Sequence, residues 1–274
     1  MIRLCGILFI AAAILGVSPA TSFHSSGSPA AASAVIREEQ KIVVTGVPEV
    51  WRLEWEFPPK PACGAEENSI AVTCPCSGFA YGESGQLDLV RLVDNHEIER
   101  LKLTPFFEDL PTDYDHSALV QRWRLRDEDA SQPDSREFAK RVSLRPVVQI
   151  MQFADYNHDG VSNEFFLQTE TLPCGKHVGV VIGLTRTNPK LHAFGSALHP
   201  EKPLVLQKFE WDSLLKFKQP AGSRTLDWAC GDHGSDTETE VELRATNGTI
   251  EGVRREYKCT EAGDRGELAS EKPF

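Results

Sequence analysis

The sequence lacks several features that define well-known classes of protein. After residue 20 it has no apolar run long enough to cross a bilayer, so no membrane span is expected there. It also lacks a Gly-x-Ser-x-Gly elbow, a His-Glu-x-x-His pair, a P-loop and a dinucleotide-binding Gly-x-Gly-x-x-Gly. No internal repeat is present. These absences leave no recognisable motif for catalysis or for nucleotide binding.

The chain also has fewer basic residues than acidic residues. The chain has 29 Lys and Arg residues against 40 Asp and Glu residues, which gives a formal net charge of −11. Such a balance disfavours binding to nucleic acid or to an anionic membrane surface. It suits solubility and the binding of cations. We therefore expect no nucleic-acid partner, and no membrane association after removal of a signal segment.

The first 20 residues are typical of a secretory signal peptide. Arg3 supplies the positive start, residues 6–17 are apolar, and small residues precede a cleavage site after Ala20. This pattern predicts secretion to an extracellular or periplasmic space, with an uncleaved anchor as the alternative. Composition then predicts a flexible leader at 21–38, a single mostly β globular domain at 39–260 and a disordered tail at 261–274.

An even number of cysteines follows the predicted signal segment, and in an exported chain this favours disulfides. The six are Cys63, Cys74, Cys76, Cys174, Cys230 and Cys259. Because Cys230 and Cys259 flank a predicted hairpin, we expect them to pair, with two bridges among the other four. The close neighbours Cys74 and Cys76 are not expected to pair with each other, since the ring would be strained. A zinc site built from the first four is the alternative.

Short-range patterns predict a mainly β fold. Residues 51–57 alternate between an aromatic face, formed by Trp51, Trp55 and Phe57 with Leu53, and a charged face. Residues 86–93 and 97–103 flank a predicted turn, and Asn247-Gly248 predicts a second hairpin. A nearly continuous apolar run at 176–185 predicts a central strand. We expect antiparallel sheets (sandwich or barrel-like) with one or two short helices, at 134–142 and 211–217, stapled by disulfides.

One loop carries the sharpest chemical signal. Residues 155–160 read Asp-Tyr-Asn-His-Asp-Gly between apolar runs at 147–153 and 164–169, which we predict to be strands. Alternating oxygen-bearing side chains followed by glycine suit a hard cation such as Ca²⁺. The predicted ligands are the side chains of Asp155, Asn157 and Asp159, the carbonyl of Val161, and Asn163 with Glu164. A metal-free turn, held by hydrogen bonds from Asp and Asn side chains, is the alternative.

The loop resembles the calcium hairpin of FG-GAP repeats in integrin-like β-propellers, an EF-hand-like Asp-x-Asn-x-Asp-Gly loop that joins two strands. It departs from an EF-hand because Phe166, not Glu, is the twelfth residue and because its flanks are β-like. It departs from the FG-GAP pattern at Asn163, where Asp is usual. Propellers repeat this unit and the chain has one copy, so the resemblance implies a calcium loop within a secreted bacterial-type protein. It implies neither a propeller nor an activity.

Two functions remain open from the sequence. The favoured one is a secreted, non-enzymatic β domain with a structural calcium hairpin, which meets an unidentified protein or glycan partner. The alternative is a secreted hydrolase with an unrecognised acid/base or metal site, to which His177, His192 and His199 could belong. A pocket with converging carboxylates or histidines would favour the hydrolase.

A row of arginines is a further open feature. Arg122, Arg124 and Arg126 share one face of a predicted strand at 119–126. Three arginines on one face could recognise an anion. Pairing with neighbouring acidic side chains is the favoured interpretation.

Overall fold

The computed structural model describes residues 34–64, 76–107, 116–126, 129, 136–172, 175–216 and 222–274. The strands in chain order are β1 (Val35–Val44), β2 (Val47–Trp55), β3 (Lys60–Ala62), β4 (Phe79–Gly85), β5 (Leu87–Val93), β6 (His96–Lys102), β7 (Ala118–Arg124), β8 (Phe165–Leu172), β9 (Lys176–Gly183), β10 (His192–Ala193), β11 (Leu206–Gln207), β12 (Ser223–Trp228), β13 (Thr237–Thr246), β14 (Thr249–Cys259) and β15 (Arg265–Pro273). Two α-helices accompany them, α1 (Arg136–Ser143) and α2 (Lys208–Lys216). Neither helix is long and apolar enough to span a membrane, within the residues that the structure describes.

The strands form four antiparallel sheets, which confirms the predicted mainly β fold class. Their strand orders are β1-β2-β5-β6, β3-β4-β7, β12-β13-β14-β15, and a fourth sheet in which β8, β10 and β11 all pair with β9. The predicted central strand is thus β9. Both predicted hairpins are present. Their turns contain residues with positive φ angles, Asp94 and Asn95 in the first and Asn247 and Gly248 in the second.

Two large hydrophobic clusters hold the sheets together, and β9 belongs to both, while a third, small cluster packs α1 against β4. Its side chains alternate, so Val180 and Ile182 join one cluster while Val181 joins the other. The first cluster contains the fully buried Trp51 and Trp55 of β2. The second contains Trp211 of α2. The fourth sheet is therefore a middle layer between the β1–β7 strands and the C-terminal sheet.

The predicted aromatic face was wrong at one residue, Phe57. Trp51, Leu53 and Trp55 are completely buried, whereas Phe57 is 55% exposed. The reason is that β2 ends at Trp55, so Phe57 lies beyond the regular alternation of the strand.

Two disulfides link described cysteines. Cys230 pairs with Cys259, as the sequence suggested, and Cys63 pairs with Cys76. The second bridge removes two thiolates from the alternative zinc site. Cys74 and Cys174 lie outside the described residues. Disulfides are typical of proteins in an oxidising compartment.

Both predicted ends of the domain need correction, although residues 1–33, with the signal segment, lie outside the described part. Residues 35–38 were assigned to the leader but belong to β1, and residues 265–273 were assigned to the tail but form β15. β15 pairs along β14 from Val253 to Cys259. A polar sequence is compatible with an edge strand because backbone hydrogen bonds, not apolar burial, attach it.

The predicted strand at 147–153 is an extended segment without ladder pairing. The backbone N–H groups of Ile150 and Met151 donate to the carboxylate of Glu38, at 2.7 and 3.1 Å. Val148 N donates to the carbonyl of Arg122. These partners occupy the groups that a neighbouring strand would otherwise use. The segment meets the strand after the loop at one isolated bridge, between Ala154 and Glu164.

Candidate metal site and a neighbouring cleft

The loop from Asp155 to Glu164 is closed at its base by that bridge. Ala154 N donates to Glu164 O at 2.8 Å, and Glu164 N donates back to Ala154 O at 3.3 Å. Inside the loop, His158 and Gly160 adopt left-handed φ angles of 54° and 89°. Glycine takes this conformation at little cost, so the chain can turn tightly between the bridge residues.

The turn brings three carboxylates together. Ligand oxygens of Asp155, Asp159 and Glu164 all lie within 4.8 Å of one another. That span is close to twice a Ca²⁺–oxygen bond of about 2.3–2.6 Å. The three groups can therefore contact a single cation of this size.

Glu164 is the least expected member of this cluster because it has no exposed surface. Its Oε2 accepts hydrogen bonds from Tyr156 N at 2.7 Å and Asn157 N at 3.3 Å. Burial raises the pKa of Glu164 to about 9, and the nearby Asp155 and Asp159 carboxylates add to the rise. Without a cation, the site thus holds this carboxyl in its neutral form at pH 7.

Backbone N–H groups orient the two aspartates. Asp155 accepts from Asp159 N at 3.1 Å and from Gly160 N at 3.0 Å. Asp159 accepts from Val161 N at 3.0 Å and, across the molecule, from Arg186 N at 2.6 Å. No lysine, arginine or histidine side chain forms an ion pair with Asp155, Asp159 or Glu164 among the residues that the structure describes.

The other predicted ligands have different positions. Asn157 is fully buried, and its Oδ1 accepts from Asp159 N at 2.8 Å. Val161 contacts the site through its own N–H. Asn163, with its amide oriented to donate, bonds to Leu184 O at 3.0 Å and to Glu164 Oε1 at 2.9 Å. Asn157 and Asn163 thus hold the loop and Glu164 in place.

Distant segments fasten the loop to the fold. Gly248 N, in the turn between β13 and β14, donates to Asn157 O at 3.0 Å. His158 Nε2 lies 2.6 Å from Leu214 O of α2, and because a carbonyl only accepts, this nitrogen donates. Nothing in the local sequence indicates either contact. The loop thereby connects the middle sheet with α2 and the C-terminal sheet.

The three histidines considered for zinc do not come together. His192 Nδ1 lies 2.8 Å from Lys190 O and its ring packs on Phe194. His199 is exposed, and His177 lines a separate cleft. Among the described residues, the cluster of Asp155, Asp159 and Glu164 is the group with metal-binding geometry, and it includes no histidine.

That cleft lies between β7, the extended segment at 148–152, and β8, and we call it the β7–β8 cleft. It encloses about 110 Å³. Leu119, Ile150 and Phe166 supply apolar walls, while Arg124, His177 and Lys208 supply basic groups. No aspartate or glutamate is among its described lining residues, so it does not offer the carboxylate pair that a glycosidase needs.

The sequence singles out one residue of the cleft, Arg124, as a candidate for binding an anion. Of the three arginines predicted on one strand face, Arg122 pairs with Glu83, in line with the favoured interpretation. Arg124 lines the cleft instead. His177 and Lys208 come from β9 and α2, and nothing in the local sequence connects them with Arg124.

Comparison with models of protein families, with characterised proteins and with solved structures finds no match to this chain.

Proposed function

We propose that the loop from Asp155 to Glu164 binds one Ca²⁺ ion and that the protein is a secreted, non-enzymatic β domain stabilised by this ion. The observation that supports the proposal is the buried Glu164 beside Asp155 and Asp159, with no cationic side chain paired to them in the described part of the chain. A metal-free turn accounts for the N–H bonds to the aspartates. Glu164 also accepts loop N–H bonds, but a metal-free turn leaves its carboxyl group buried beside two others with no cation to balance their charge.

A bound cation would change the balance of charge at this site. Three carboxylates around Ca²⁺ match the oxygen ligands that this ion prefers. Glu164 would lose its proton on binding, because ligands bind a metal in the deprotonated form. Since the loop contacts Leu214 and Gly248, the ion would stiffen the junction between the middle sheet, α2 and the C-terminal sheet.

Secretion is part of the same proposal. It rests on the signal-like pattern at 1–20 and on the two disulfides, which suit an oxidising compartment. Extracellular calcium is abundant enough for weak sites, with Kd values of about 10⁻⁴–10⁻³ M in extracellular modules. In this proposal the domain also binds a protein or glycan partner. The alternative hydrolase is less well supported because the described lining of the β7–β8 cleft lacks a carboxylate pair.

The test is thermal unfolding of the disulfide-intact protein with and without calcium. At a calcium concentration of 100 times Kd, the expected stabilisation is about 2.7 kcal/mol, seen as a rise in Tm of several degrees. Mg²⁺ should give a smaller rise because it demands a more rigid octahedral site.

Three variants locate the effect. Asp155→Asn and Asp159→Asn keep oxygen acceptors for the loop N–H groups but remove charge, and Glu164→Gln keeps the shape of the neutral carboxyl group. Without calcium, each variant should have a Tm close to that of the unsubstituted protein. With calcium, each should lose most of the rise in Tm. Asp236→Asn, at an exposed position outside the loop, should keep it. An unchanged Tm of the unsubstituted protein at about 0.1 M calcium, roughly 100 times the weakest Kd of about 10⁻³ M, would exclude the proposal.

A further inference from the structure

We propose that the β7–β8 cleft binds a small organic monoanion, with an apolar body between Leu119, Ile150 and Phe166 and an anionic group at Arg124 and His177. Tyr156 of the loop lines the cleft, whereas Asp155, Asp159 and Glu164 do not, and the inference does not rest on the proposed calcium function. It follows from the size of the cleft, its walls and its charge.

The size and walls of the cleft select the body of the ligand. Its volume is about 110 Å³ and its walls include Leu119, Ile150 and Phe166. A cavity of about 150 Å³ lined by such side chains is large enough for benzene. The cleft is smaller than that cavity but opens to solvent, so a short alkyl chain fits inside it, a six-membered ring fits with one edge in the opening, and a sugar chain or a peptide does not fit.

The charge of the cleft favours an anionic group on the ligand. The chain as a whole has a net charge of −11, yet the described lining of this cleft has basic groups and no acidic ones. An acidic protein with a locally basic cleft attracts anions to that point. The neighbouring arginine, Arg122, is paired with Glu83, so it is less available to a ligand than Arg124.

Arg124 is the residue best placed to bind the anion. It is exposed, and it forms no ion pair with a described carboxylate. Lys208 is less available because its Nζ lies 2.7 Å from Asp212 Oδ2. One guanidinium group without an acidic partner matches one carboxylate, which it can bind through two parallel hydrogen bonds. This is the reason for a monoanion.

His177 of β9 supplies a second polar group to the lining of the cleft. It is half-buried, and no hydrogen bond links its ring to another described residue. Burial lowers the pKa of His177, and the positive charges of Arg124 and Lys208 lower it further. The neutral ring still has one N–H to donate, so it can bind a carboxylate oxygen beside Arg124.

The experiment uses benzoate, benzyl alcohol and inorganic phosphate as probes. Benzoate has both the ring and the charge, benzyl alcohol has the ring alone, and phosphate has the charge alone. Each is titrated into the full chain without calcium, and binding is followed by NMR chemical shifts of the lining residues and of the His177 ring. We expect benzoate to bind with a millimolar Kd and the other two to bind about tenfold more weakly.

Two variants of the cleft and one control test the assignment. Arg124→Gln should weaken benzoate about tenfold and leave benzyl alcohol unchanged. Val148→Trp should fill the cleft and weaken both ring compounds. Lys202→Gln removes one positive charge at an exposed position outside the cleft and should bind benzoate like the unsubstituted protein. Because Arg124 is exposed, its variant should fold, and the Tm of each variant verifies this.

Three results would overturn the proposal. The first is equal binding of benzoate and benzyl alcohol, and the second is phosphate binding as tightly as benzoate. The third is no measurable benzoate binding to the unsubstituted protein, or a benzoate Kd that neither cleft variant changes.

Discussion

Glu210 is a buried carboxyl group outside the candidate metal site. The residue is 1% exposed in the first turn of α2. Its Oε2 accepts a hydrogen bond from Gln207 N at 2.7 Å, while its Oε1 has no described partner. Burial raises the pKa of Glu210 to about 7, with Asp227 adding to the rise.

This shift predicts a pH-dependent free energy of unfolding. Between pH 4.5, the ordinary pKa of a glutamate, and the folded value of about 7, the folded state holds a proton that the unfolded state has released. Stability from this group is therefore complete below pH 4.5 and is lost as the pH rises through 7. Glu210→Gln should be more stable than the unsubstituted protein at pH 8, by up to about 3 kcal/mol, and equally stable at pH 4.

Urea denaturation at the two pH values measures this difference. Glu201→Gln, at an exposed position, is the control and should behave like the unsubstituted protein at both. A Glu210→Gln variant with the same relative stability at pH 4 and pH 8 would contradict the assignment.

At the scale of elements, β15 shows how a polar segment joins a fold. Its residues are mostly exposed, and its contacts include ion pairs from Arg255 to Glu271 at 2.7 Å and from Lys258 to Glu267 at 2.9 Å. Exposed pairs of this kind contribute little. The backbone ladder to β14 and the ring of Phe274, which packs against the second cluster and over Gly252, attach the strand.

Removal of residues 265–274 should therefore destabilise the domain without unfolding it. The loss should be at least about 2 kcal/mol, because a half-buried aromatic side chain and a row of strand pairing are removed together. Phe274→Ala should give part of the loss, and Lys272→Ala should give almost none. A free energy of unfolding within about 0.5 kcal/mol of the full chain would show that this segment does not contribute.

At the scale of the whole molecule, β9 links the two hydrophobic clusters. Residues 33–274 form one compact unit, and Val180, Val181 and Ile182 place adjacent side chains in both clusters. Loss of packing in one cluster therefore disturbs β9, which also contributes side chains to the other cluster. The two clusters should unfold together.

Cavity-forming variants test this cooperativity. Leu53→Ala in the first cluster and Leu243→Ala in the second should each lower the free energy of unfolding by about 2–5 kcal/mol. Each should still give one urea transition, with tryptophan fluorescence and far-UV circular dichroism coinciding. Leu144→Ala, at a position that is 82% exposed, should change stability by no more than about 0.5 kcal/mol. Separate transitions for the two probes would show that the clusters are independent.

The sequence by itself determined the local structure. Alternation along 51–55, the Asn247-Gly248 turn and the apolar run that became β9 each depend on neighbours within a few residues, and the structure contains all three. Local rules also located the Asp-x-Asn-x-Asp-Gly loop and the Cys230–Cys259 bridge. They were wrong for Phe57 and for 265–273, where the end of a strand and a partner strand decided the outcome.

Only the tertiary structure decided which side chains meet. Glu164 was one of six predicted ligands, but its complete burial beside Asp155 and Asp159 comes from the packing of the loop against α2 and the C-terminal sheet. The β7–β8 cleft brings together Arg124, His177 and Lys208 from three elements. Burial and the convergence of distant residues depend on how the sheets stack, and no local pattern encodes that arrangement.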